Sequence, residues 1–147
     1  MYRVMARYSL CLILFLLPMK VAWSTEIPTI FAYMQQNDMD DEYHQSSLFQ
    51  RCAGVIGAYA KFIPQSMAQE KEALGNLSIE MLTVGAMLLA EKNMTTASEN
   101  LRQVQSAFQY FVDQYYRQIE RTQLNTGSIF GGSVGEEFKF CQNLYSQ

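Results

Sequence analysis

The chain has 147 residues, 49% of them apolar and 17% charged, with a formal net charge of −3. An acidic balance without basic clusters argues against nucleic acid and anionic membrane surfaces as partners, since both are polyanions. The length is that of one ordinary domain, large enough to bury a core without the help of a metal.

The first 24 residues read as a secretory signal peptide. Arg3 and Arg7 supply a positive start, Leu10–Leu17 an apolar run, and Ala22-Trp23-Ser24 small residues at the two inspected positions, so cleavage is expected before Thr25. The run is eight residues long, against roughly 20 needed to cross a bilayer, so no permanent membrane anchor is expected. Cys11 follows a leucine inside the apolar core, unlike a lipid-attachment cysteine. Cleavage removes Arg3, Arg7 and Lys20 and no acid, leaving eight basic against fourteen acidic residues and a charge of −6. The expected location is the periplasm or the outside of the cell.

Residues 25–39 read as an N-terminal arm with one or two helical turns, and residues 40–147 as a single helical domain. The first long helix is expected over Asp40–Ile63. The acidic lead Asp38–Glu42 offers capping oxygens and favourable charge at its start. Leu48, Cys52, Val55, Tyr59 and Phe62 follow at 4-3-4-3 spacing, with Phe49, Ile56 and Ile63 widening the stripe. Pro64 stops it, because proline disfavours helical geometry in the residue before it. Gly54 and Gly57 each cost roughly 1 kcal/mol relative to alanine in a helix, which points to a close helix crossing.

Ser66 with Gln69 reads as a capping box opening a second helix over Met67–Lys92, with Leu74, Leu77, Met81, Val84 and Leu88 inward. Asn93 is the expected left-handed terminator. Thr96 with Glu99 is a second capping box, opening a third helix whose stripe is Leu101, Val104, Phe108, Phe111, Tyr115 and Ile119. Gly127 closes it. A glycine-rich loop, Gly127–Gly135, leads to a short last helix, with Ser133 and Glu136 as a third box and Val134, Phe138, Cys141 and Tyr145 inward. No strand alternation and no repeat is present. The short connections predict an all-α, up-down-up-down bundle of three long helices and a short fourth.

Cys52 and Cys141 both fall on inward stripes, and an even cysteine count in an oxidising compartment reads first as a disulfide. Cys52 lies roughly 16 Å and Cys141 roughly 12 Å below the same bundle end at 1.5 Å per residue, so a staple is feasible. A reactive thiol would need a cation or helix N-terminus beside it, and neither CxxC nor CxxCH occurs.

His44 is the only histidine, set among Asp38, Asp40, Asp41 and Glu42. One histidine cannot build the usual zinc sites, and the EF-hand pattern fails at its sixth and twelfth positions. The glycine-rich loop lacks the lysine of a phosphate-binding loop, and Glu136 and Glu137 in the following turn would repel phosphate. No cofactor, metal or catalytic constellation is therefore expected. Asn76-Leu77-Ser78 and Asn93-Met94-Thr95 match the glycosylation sequon.

The remaining candidates are surfaces for a partner, expected to be another protein. Tyr110, Arg117 and Arg121 share the outer face of the third helix with Asp113, and Tyr116 lies at its edge; Tyr and Arg are common interface anchors. Asp113 and Arg117 stand at ion-pair spacing, the ordinary explanation of such a face. Ile129 and Phe130 either fold back on the bundle end or project toward a partner. The expected function is thus binding rather than catalysis. The abundant Tyr, Phe and Met residues admit, as an alternative, a carrier of a small apolar ligand. "CAGVIGAY" (Cys52–Tyr59) and "CQNLYS" (Cys141–Ser146) resemble the cysteine-bearing helices of helical immunity proteins paired with amidase effectors. That resemblance implies a periplasmic protein that blocks a cell-wall-degrading effector, with the Tyr/Arg face or the Ile129-Phe130 loop as its plug.

Overall fold

The computed structural model describes residues 26–145. The expected signal peptide, with Cys11, lies outside the described residues. Five α-helices follow in order: α1 (Ile30–Gln36), α2 (Glu42–Phe62), α3 (Ala68–Asn93), α4 (Ala97–Thr126) and α5 (Gly132–Tyr145), with a 3-10 turn at Gln65–Met67 and no strand among the described residues. The all-α expectation holds, and α1 is the helical turn expected of the arm.

Helix α2 is the central element, packed along α3 and α4, with α5 against it. The Asp41 side chain caps it by accepting from the Tyr43 N–H (2.8 Å), and the chain turns extended at Ile63 before Pro64. Contacts with α3 run in opposite order along the two helices. Asp41 meets Lys92 (2.8 Å), the Ser46 hydroxyl donates to the Gly85 carbonyl (2.6 Å), and the Ser78 hydroxyl donates to the Ala53 carbonyl (2.8 Å). Small residues let the two backbones come this close. At the crossing with α4, a Cβ on Gly54 would lie 2.3 Å from the Phe111 Cβ. The glycine is there because nothing larger fits.

Of the expected inward stripe of α2, Leu48, Cys52, Val55, Ile56, Tyr59 and Ile63 are buried, while Phe49 and Phe62 are half-buried against the core. On α3 the buried face differs from the expected stripe. Its buried residues are Ser78, Met81, Leu82, Gly85, Ala86, Leu89 and Ala90, while Leu74, Leu77, Val84 and Leu88 are half-buried and Ile79 and Met87 are exposed. The helix is apolar nearly all round, so periodicity does not mark its inner face; the small Ser78 and Gly85 do, by fitting against α2. By its length, and by the composition of one 18-residue window within it, Gln65–Asn93 is apolar enough to cross a membrane, although its buried residues pack against the rest of the bundle.

Three terminal signals differ from expectation. The Ser66 box is replaced by the 3-10 turn, in which the Met67 N–H donates to the Pro64 carbonyl (3.0 Å), and α3 starts without a side-chain cap. Met94 rather than Asn93 takes the left-handed conformation (φ 52°), with Thr95 N–H donating to the Ala90 carbonyl (2.9 Å). Ser133 lies inside α5, which already begins at Gly132; Gly135 is pressed so closely on Phe130 that a Cβ there would lie 2.1 Å from its carbonyl oxygen. The Thr96–Glu99 box forms as expected, as does the left-handed stop at Gly127 (φ 73°). Leu101 and Tyr145, placed inward by spacing, are 38% and 44% exposed because both sit near helix ends beyond the packed core.

Candidate binding surfaces at the α4–α5 end

The Cys52 and Cys141 sulfurs are bonded (2.03 Å; Cα–Cα 5.3 Å), joining the middle of α2 to α5 across 89 residues of chain. Both cysteines are wholly buried. Disulfide-bonded and inaccessible, neither can act as a nucleophile.

Beside the disulfide lies a polar network that the sequence did not announce. Arg51 and Glu137 are only 8% and 1% exposed. The Tyr115 hydroxyl donates to Glu137 Oε2 (2.8 Å), the Ile30 N–H donates to the same carboxylate, and Arg51 Nη1 donates to the Pro28 carbonyl (3.1 Å). The guanidinium is held between the rings of Tyr33 (4.3 Å) and Phe111 (5.0 Å), its Nε without a hydrogen-bond partner. Burial pushes the Glu137 carboxyl above its ordinary value, opposed by Tyr115, the Ile30 N–H and Arg51. The Tyr115 hydroxyl is likewise pushed well up, by burial first and then by Glu137. Glu137, read from the sequence only as a first-turn acid that would repel phosphate, is thus an interior anchor for the N-terminal arm. Its signal was its place next to Phe138 on the inward face of a short helix, and that of Arg51 was its place next to Cys52.

The loop before α5 folds back. The Tyr59 hydroxyl donates to the Ile129 carbonyl (2.7 Å), and the Phe130 ring stacks on Tyr59 (centroids 5.2 Å, planes 4° apart) and leans on Phe138 (5.6 Å). Of the two arrangements open for Ile129 and Phe130, the structure takes the one folded back on the bundle end. Phe130 still shows one edge to solvent, at 46% exposure.

Between the ends of α2 and α4 is an open groove of about 530 Å³, lined by Phe62, Tyr116, Arg117, Glu120, Arg121 and Leu124. Phe62 and Tyr116 pack ring on ring (5.4 Å), and Lys61 Nζ lies 4.9 Å from the Tyr116 centroid. Leu124 is 85% exposed. The structure therefore brings Tyr116, Arg117 and Arg121 together. It leaves Tyr110 out: that ring is exposed against Phe111, two turns away along α4. Asp113 pairs with Lys61 (3.5 Å) rather than with Arg117, because α2 ends beside it. Arg121 pairs with Glu26 of the arm.

His44 Nδ1 lies 3.2 Å from the Tyr33 hydroxyl, and among the described residues no group of three or more His, Cys, Asp or Glu side chains stands ready for a metal. Comparison of the chain with protein-family models, with curated proteins and with solved structures finds no match. The functional reading therefore rests on these surfaces.

Proposed function

We propose that the protein is an exported up-down-up-down helical bundle that acts by binding another protein through the groove between the ends of α2 and α4. The observation that carries this is the grouping of Phe62, Tyr116, Arg117 and Arg121 around an 85% exposed Leu124. An apolar side chain so open to water gains from being covered, at about 25 cal/mol for each Å² buried. Aromatic and arginine side chains around it are the residue types that dominate interface energetics. The apolar-ligand carrier is the weaker reading, since Tyr59, Tyr115 and Met81, among the side chains that motivated it, are wholly buried core. If the protein blocks a cell-wall-degrading effector, the groove is its better plug, because Ile129 and Phe130 are committed to the bundle.

A photo-cross-linking residue in place of Leu124 tests the reading in intact cells. A discrete adduct at that position, lost on Arg117→Glu and missing from a control residue placed at exposed Glu72 on α3, is expected. Equal adducts at both positions, or none at Leu124, would overturn it.

A further inference from the structure

We infer a second site: the cleft between the arm, the last turns of α4 and the start of α5 binds a neutral, hydroxyl-rich molecule of about monosaccharide size. The cleft holds about 300 Å³, at the lower end of the range for small-molecule sites. Three separate elements build it. Glu26 and Thr29 come from the arm, Gln118, Thr122 and Asn125 from one face of α4, and Ser133 from the first turn of α5.

Charge selects the class of ligand. The only ionic side chains in the lining are Glu26 and Arg121, and they pair with each other. An anion would have to displace the Glu26 carboxylate and a cation the Arg121 guanidinium, whereas a neutral molecule can bond to both without separating them. The amides of Gln118 and Asn125 and the hydroxyl of Ser133 make no hydrogen bond to another described residue. Each primary amide carries donors and an acceptor, and each hydroxyl does both. Donors and acceptors converging within one small cleft match the paired hydroxyls of a sugar ring, every one of which donates and accepts. Ile27 supplies an apolar surface for the C–H face of such a ring, backed by the buried Val134.

The cleft is also held in shape. Its arm wall is tied from beneath by Arg51 to the Pro28 carbonyl and by the Ile30 N–H to Glu137, both inside the core. A wall fixed before the ligand arrives loses little ordering entropy on binding. The buried Arg51–Tyr115–Glu137 network thereby acquires a purpose that the disulfide alone does not supply.

The test is a titration of the 15N-labelled exported protein, followed by amide chemical shifts, with D-glucose and N-acetylglucosamine as probes and inorganic phosphate as the anionic control. Saturable shifts confined to the amides around Gln118, Thr122, Asn125 and Ser133 are expected with at least one sugar at millimolar concentration. Gln118→Ala combined with Asn125→Ala should weaken that response about tenfold, the loss of roughly one net hydrogen bond. Neither side chain is buried, so the fold, and the shifts around Phe62 and Tyr116, should stay put. Response to neither sugar, sugar shifts indifferent to the double variant, or a response to phosphate in their place would each overturn the assignment.

Discussion

Glu137 and Arg51 are the two charged residues among the buried side chains of the described residues. Burying either alone would be costly, and together they are tolerable because Tyr115, the Ile30 N–H and the Pro28 carbonyl take up their hydrogen bonds. The raised Glu137 carboxyl has a consequence for stability. It holds its proton more firmly in the folded than in the unfolded chain, so its contribution is complete below its ordinary value of 4.5 and is lost as pH rises through the higher folded value. Asp41 and Glu99, lowered chiefly by Lys92 and by the Thr96 backbone N–H respectively, act in the opposite sense, and their contributions are lost as pH falls. Comparing wild type with Glu137→Gln cancels those two. The unfolding free energy of wild type relative to the variant should decline from about pH 4.5 toward neutrality. Urea denaturation across that range reads it directly, and a difference independent of pH would show that Glu137 keeps an ordinary affinity for its proton.

At the scale of elements, the helices exist because of their caps and stripes, but their mutual positions depend on the smallest residues. Gly54 lets α4 cross α2 at Phe111, and Ser78 and Gly85 let α3 lie close to α2. Two glycines in comparable helical settings should therefore respond in opposite ways. Gly54→Ala places a methyl group 2.3 Å from the Phe111 Cβ and is expected to cost about 1–3 kcal/mol by overpacking. Gly75→Ala meets nothing within 4 Å and should gain about 0.5–1 kcal/mol through helix propensity and a less flexible unfolded chain. Chemical denaturation of the two variants checks both signs. The close approach at Gly54 was legible in the sequence, since a glycine in mid-helix asks for a packing reason. The facing of α3 was not, because leucine and methionine stand on every side of it and a 3-4 spacing can be drawn along more than one stripe.

For the whole molecule, α5 is short and meets the rest of the bundle mainly through α2 and α4. The disulfide holds it there, and with it Glu137, the arm and one wall of the cleft. Replacing both Cys52 and Cys141 by alanine should lower stability by about 2–5 kcal/mol. The loss should register first as faster amide hydrogen exchange in α5 and in Ile30–Gln36, whose anchor α5 carries. Uniformly faster exchange, with α5 and the arm no more affected than α3, would mean that the bond stabilises the chain without locating the helix.

What the residues determined unaided is local or statistical in origin: the all-α class, the breaks at Pro64 and Gly127, the Thr96 cap, and a staple between the two cysteines that follow the first 24 residues. Each follows from backbone preference, helical periodicity or an even cysteine count, which act within a few residues or on the chain as a whole. The tertiary structure alone decided the inward face of α3, the burial of Arg51 and Glu137, the pairing of Asp113 with Lys61, and the meeting of the arm, α4 and α5 around one cleft. These depend on which side chains from distant segments share a space. A charged residue's solvation, unlike a helix cap, is set by neighbours that sequence distance does not reveal.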